Sequence, residues 1–335
     1  VTSSAPATVA VTGAEGFIGS HLVEALVASG HRVRAMAQYN SFSSYGWLET
    51  LPQDVMDSVE VVLGDVRDAG SVQHLLTGTE AVYHLAALIA IPYSYQAPHS
   101  YVATNVTGTL NVLEAVRRLG IPRMVHTSTS ETYGTAQTVP ITEDHPINTQ
   151  SPYSASKAGG DRLADGYYAS FGTPVVTLRP FNTFGPRQSM RAVIPTVIGQ
   201  VAAGERTIAL GDLRPTRDFL FVKDTARAFL TVGTAPAEAV VGRTFNAGTG
   251  GEISVGDLVT LVGKLMGADI EVREDAQRIR PAASEVMRLV CDASRLRAAT
   301  GWAPAHSLQE GLEQTIRFFS DPANLARYKT AIYNV

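Results

Sequence analysis

Along the first 180 residues, short runs dense in apolar side chains alternate with longer stretches in which apolar positions recur every three or four residues. The runs at 9–12, 32–36, 59–63, 81–85, 124–128 and 175–178 are rich in β-branched residues and too short for helices. They read as strands buried on both faces. The periodic stretches between them read as helices, most clearly at 101–119 and 153–171. Strands alternating with helices predict an α/β fold, a doubly wound parallel sheet covered on both faces. Past residue 180 the alternation loosens. Pro195 opens an apolar, helix-like segment, Phe245 to Gly248 reads as a return to the sheet, and 308–319 is an amphipathic helix.

Composition narrows the possibilities. At 335 residues and 45% hydrophobic, the chain has material for one large or two joined domains. Lysine and arginine number 27 against 31 aspartates and glutamates, a net charge of −4, with no basic block. That argues against nucleic acid or an anionic membrane as partner. Cys291 stands alone, so neither a disulfide framework nor a CxxC metal site is available. No metal site is expected. No apolar run is long enough to span a bilayer, and residues 1–6 lack the regions of a signal peptide. A cytoplasmic location is expected.

The first strand runs into Gly13-Ala14-Glu15-Gly16-Phe17-Ile18-Gly19, and a helical pattern follows through Leu22, Leu26 and Val27. Glycines after a strand and before a helix let the backbone turn tightly and approach a pyrophosphate, which rests on the helix N-terminus.

A second cluster lies further on. Thr127-Ser128-Thr129-Ser130-Glu131 closes the fifth strand with hydroxyls and one carboxylate, and Ser151-Pro152-Tyr153-Ser154-Ala155-Ser156-Lys157 opens the next helix. Tyr153 and Lys157 are four apart, so they share a helix face. A free tyrosine has a pKa of about 10, and bringing it near 7 takes roughly 4 kcal/mol. A cation about 4 Å away, at an effective dielectric near 20, supplies about that much.

Taken together, TGAEGFIG, TSTSETYG and YSASK resemble the extended short-chain dehydrogenase/reductases that act on nucleotide sugars. The resemblance runs from Thr8 to at least Phe319. QYNSF, LAALIAIPYSY, RPFNTFGPRQ, PTRDF and RYKTAIYNV bring it closest to the GDP- or UDP-N-acetylglucosamine 4,6-dehydratase type. The resemblance implies a Rossmann domain for NAD over 1–180 with about 216–249, and a smaller α/β domain for the nucleotide sugar over 181–215 and 250–335. It also implies a homodimer, in which the helices at 101–119 and 153–171 form a four-helix bundle with their copies.

By the same resemblance Gly13, Gly16, Phe17, Ile18 and Gly19 hold the pyrophosphate, Asp65 and Val66 meet adenine, and Leu85, Ala86 and Ala87 pass close to the nicotinamide. Tyr153 and Lys157 serve cofactor and catalysis alike. The second strand normally ends in an acid for the adenosine ribose. Here Ala37 stands at that position, so NADP is not excluded, and Asn40 is a candidate ribose ligand. Thr129 bonds the sugar O4, with Ser130 and Glu131 beside it. Substrate contacts are expected from Tyr93 and Ser94, in the loop after the fourth strand, and from Asn182. Arg217 is the first candidate for the diphosphate, because guanidinium pairs with two phosphate oxygens at once. Arg280 is a second.

The implied reaction is a 4,6-dehydration: oxidation at C4, loss of water across C5 and C6 with Glu131 as base, and return of hydride to C6. A 4-epimerase would not need Glu131. A UDP-glucuronate decarboxylase would need a cation at the sugar carboxylate, for which Arg191 is the candidate. A non-catalytic nucleotide-sugar binder would be expected to lack Tyr153 or Lys157.

Overall fold

The computed structural model describes residues 7–279, 281–330 and 332. Six strands, β1 (Thr8–Thr12), β2 (Arg32–Gln38), β3 (Val59–Gly64), β4 (Ala81–His84), β5 (Met124–Thr127) and β6 (Val175–Pro180), join a seventh, Thr244–Ala247, in one sheet. The order is β3-β2-β1-β4-β5-β6 and then Thr244–Ala247, and every pairing is parallel. β1 shows why the strands read as solid apolar runs: Val9 and Val11 face one core and Ala10 faces the other.

Helix α1 (Phe17–Ala28) and the Val222–Thr234 helix cover one face of the sheet. The Ala69–Leu76 and Gly108–Leu119 helices cover the other. A third core gathers Phe184, Ile194, Ile198, Phe219, Phe221, Leu258, Val262, Leu312 and Phe319, away from the large sheet. The small pairings of Asn182–Phe184 with Phe219–Phe221, and of Thr207–Leu210 with Glu271–Glu274, contribute to this third body.

The structure departs from the sequence reading in three places. The helix expected over 101–119 is a short α-turn, Pro98–Tyr101, then a π-helical segment, Val102–Thr107, then the Gly108–Leu119 helix. Pro195 does not open its helix, which begins two residues earlier at Val193, where a proline in the first turn still costs no hydrogen bond. The segment around Tyr93 and Ser94, expected as loop, is the short Ile91–Gln96 helix.

Candidate active site

A cavity of about 530 Å³ runs along the carboxyl ends of β1, β4, β5 and β6. One end is built from the glycine loop. Gly13 has φ +68°, and a Cβ there would lie 2.8 Å from Ala86 N. A Cβ on Gly19 would overlap the Gly13 carbonyl oxygen, so strand, loop and helix close on each other only without side chains. Helix α1 starts at Gly16 with no side-chain cap and no acid in its first turn. Gly16, Phe17, Ile18 and Gly19 line the cavity, so the unbonded N–H groups and positive end of α1 lie at it. These features fit a pyrophosphate-bearing dinucleotide.

The catalytic cluster sits mid-cavity. Ser151 and Ser154 form a reciprocal capping box, Pro152 takes the first helical position, and the Pro152–Phe171 helix runs on to Gly172 at φ +65°. Tyr153, Lys157 and Asp161 therefore form one buried stripe facing the sheet. Thr129, Ser130, Glu131, Tyr153 and Lys157 all line the cavity.

The electrostatics differ from the isolated-pair reading. Burial pushes the Tyr153 phenol above its usual value, hydrogen bonding with Thr129 pulls it down, and the Glu131 charge adds to the rise. Burial lowers Lys157 to about 8, opposed by the Asp161 carboxylate. Desolvation of the phenol outweighs the help it receives from Thr129, so this setting by itself keeps the phenol protonated.

A polar network lies beneath. Asp161 accepts hydrogen bonds from Ser128 Oγ at 2.7 Å and Arg179 Nη2 at 2.8 Å, and its other oxygen lies 3.1 Å from His126 Nε2. These partners hold its carboxyl well below the usual range despite burial. Arg179 Nη1 donates to Tyr133 Oη at 2.9 Å, and Tyr133 donates to Asn246 Oδ1 at 2.8 Å. His84, between Thr12 Oγ1 and Thr109 Oγ1, stacks on His126 at 6.0 Å and is pushed well down by burial. Both rings pack the strand ends.

Of the expected cofactor residues, Gly13, Gly16, Phe17, Ile18, Gly19, Asp65, Val66, Leu85, Ala86 and Ala87 line the cavity. Asn40 does not: its side chain bonds Gln38 O, Ser44 O, Phe42 N and Ser44 N and closes its own loop. Ala37 is fully buried in the core. Of the expected substrate residues, Asn182 and Arg191 line the far end. Ser94 is buried and donates to Ile91 O at 2.6 Å, while Tyr93 packs against Tyr101 at 6.3 Å, outside the lining. Arg217 also lies outside it, donating to Glu285 Oε1 at 3.2 Å and Thr216 O at 2.9 Å. Arg280 lies outside the described residues.

Glu15 and Gln188 are among the lining residues that escape the sequence reading. Glu15 sits inside the glycine loop, its Oε1 accepting from Gln38 N at 3.1 Å and its Oε2 buried with no partner among the described residues. Gln188 donates to Thr183 O at 2.8 Å, and its Oε1, at the Asn182 end, is buried with no partner among the described residues. The signals were position alone: both stand within segments that carry the resemblance, TGAEGFIG and RPFNTFGPRQ.

Residues 10–315 match the family described as GDP-mannose 4,6 dehydratase. The chain is 36% identical over 320 residues to a UDP-glucose 4-epimerase of Mycolicibacterium smegmatis, covering 92% of this chain and 97% of that one. It is 34% identical over 336 residues to a dTDP-glucose 4,6-dehydratase of Xanthomonas campestris pv. campestris, covering 93% of each. Among solved structures it is similar to DesIV, a dTDP-glucose 4,6-dehydratase from Streptomyces venezuelae with NAD bound. The TM-score is 0.86 at 29% identity, over 96% of this chain and 99% of that one.

Proposed function

Because this chain belongs to the extended short-chain dehydrogenase/reductase family of nucleotide-sugar dehydratases and epimerases, we propose that it carries out the NAD-dependent 4,6-dehydration of a nucleotide-diphosphate sugar. The observation that carries the choice of reaction is Glu131. Its carboxylate lines the same cavity as Tyr153 and Lys157, and its charge acts on the Tyr153 phenol.

Bound NAD would supply a hydride acceptor that is regenerated within the cycle and a positive charge beside the phenol. Gly13 and the first turn of α1 hold its pyrophosphate, and Ala86 and Ala87 leave room for the nicotinamide end. Tyr153, bonded by Thr129 and flanked by Lys157, takes the proton of the C4 hydroxyl. Glu131 removes the proton at C5, which a C4 ketone acidifies. Ser130 relays that proton to the C6 hydroxyl, which leaves as water, and C5 later takes a proton from solvent. Groups of this kind each contribute about 10²–10⁴ in rate. Asn182, Gln188 and Arg191 receive the sugar diphosphate.

The similarity to a UDP-glucose 4-epimerase supports a second reading, 4-epimerisation, in which Glu131 has no proton to remove. Mass spectra of products formed in deuterated water separate the two. The panel is UDP- and GDP-N-acetylglucosamine, GDP-mannose, dTDP-glucose and UDP-glucuronate. Loss of water with deuterium at C5 is expected; an isomer of unchanged mass would select the epimerase, and loss of carbon dioxide a decarboxylase. Glu131→Gln should bind NAD as the parent does and lose the dehydration by about 10²-fold or more.

The location we infer is the cytoplasm, and no helix among the described residues is long and apolar enough to cross a membrane. The assembly we infer is a homodimer through the Gly108–Leu119 and Pro152–Phe171 helices, where Tyr168 and Phe171 stand 42% and 59% exposed.

A further inference from the structure

On the proposed NAD reading, the cavity end bounded by Glu15, Met36, Gln38, Gly64, Asp65 and Val66 takes the adenosine half of a dinucleotide lying along the glycine loop. β2 brings no acid there, since Ala37 is turned into the core. Glu15 brings one from the other side. It is clamped in place: its carbonyl accepts from Trp47 N at 3.0 Å, its Oε1 accepts from Gln38 N at 3.1 Å, and Ala14 N donates to Met36 O at 3.2 Å. Its Oε2 is buried with no donor among the described residues.

The carboxylate of Asp65, by contrast, is taken up by Arg67. No cation is among the residues bounding this end. A buried acceptor without a donor is a costly arrangement unless a ligand supplies one. A ribose hydroxyl supplies a donor; a 2′-phosphate supplies only acceptors and negative charge.

We propose that Glu15 is the acceptor for the adenosine ribose hydroxyls, standing in for the acid missing from β2, and that it sets the preference for NAD over NADP. The inference rests on the NAD reading above. Burial raises the Glu15 carboxyl above its usual value, opposed by hydrogen bonds from its own backbone N–H and that of Gln38. A hydroxyl donor from the ribose adds to that opposition and favours the charged form.

Calorimetric titration of the full chain, freed of nucleotide, with NAD, NADP and 2′-deoxy-NAD tests this without turnover. The parent is expected to prefer NAD by about tenfold or more over both others, the scale of one charge-assisted hydrogen bond. Glu15→Ala should weaken NAD by about tenfold and bring all three nucleotides within about threefold of one another. Glu15→Gln, which keeps the shape and an acceptor, should relax mainly the exclusion of NADP. If the Glu15→Gln and Glu15→Ala proteins melt with the parent yet keep its NAD-to-NADP ratio, Glu15 has no such role, and the NAD site itself stands. If the parent binds neither NAD nor NADP, the cofactor reading fails and this inference with it.

Discussion

Lys157 shows at the scale of one residue how catalysis and stability oppose each other. Its pKa in the fold is about 8, against 10.5 for the free side chain. Between those values the unfolded chain holds more protons than the native one, so this residue makes stability rise with pH from about 8 upward. Below about 8 the full cost of burying the charge is present, roughly 3 kcal/mol. Lys157→Met is therefore expected to be inactive yet more stable at pH 7 by up to about that amount. The advantage should fade above pH 8, as urea unfolding at several pH values would register. Asp161 is the opposite case. It is buried against Arg179 and His126, so Asp161→Leu strands the guanidinium and should cost about 3–5 kcal/mol. Spacing put Tyr153 and Lys157 on one helix face, because a helical interval is written in the sequence, and the family resemblance set Glu131 beside them. The direction of the Tyr153 shift was not legible. It depends on how deeply both partners are buried, which no interval encodes.

Elements were legible where one periodicity held and illegible where two local rules competed. β1 to β6 were recognisable as apolar runs, and their bounds moved by a residue or two. The 101–119 stretch reads as an unbroken helix, yet residues 102–107 adopt π-helical bonding. The reason lies outside the stretch. Asn105 is buried, donates to Leu88 O and Ser156 Oγ at 2.9 Å, and accepts from Leu88 N at 2.9 Å. Those bonds tie the chain after β4 to the Tyr153 helix, and they need a side chain aimed where the π-helical segment puts it. Asn105→Leu should lose about 2–3 kcal/mol of stability and raise the KM for the sugar nucleotide, because residues 88–92 line the cavity from this anchor. Ser94 and Tyr93 were misplaced for a related reason: a proline-led turn of helix faces Ser94 inward, and residue type alone does not reveal it.

On the scale of the whole molecule, the large sheet and the third core are tied by a small ionic latch. Arg187, at φ +70°, donates to both oxygens of Glu24 on α1 at 2.8 and 3.2 Å, and His21 Nε2 lies 3.0 Å from Pro186 O. Hydrogen bonds from His21 and Arg187 overcome burial and bring Glu24 to about 2. Its stabilising contribution is thus complete above the ordinary carboxylate pKa of about 4.5 and is lost as pH falls toward about 2. The difference in melting temperature between the parent and Glu24→Gln should be present at pH 7 and shrink steadily below about pH 4.5. Assembly belongs to this scale too: light scattering should give a dimer for the parent and a monomer for Phe171→Glu, and a monomeric parent would refute the proposed interface.

The polar network under the site sets an order of manufacture. Tyr133 reaches Arg179 on one side and Asn246 on the other, and Asn246 Nδ2 donates to Ile141 O, whose strand-like bridge partner is Cys291. A chain emerging from the ribosome has the Tyr153–Lys157 pair long before it has Asn246 or Cys291. The floor beneath that pair is completed only once Asn246 and Cys291 have been made. Nascent chains thus carry the reactive residues without the footing that fixes them until Asn246 and Cys291 have joined the fold.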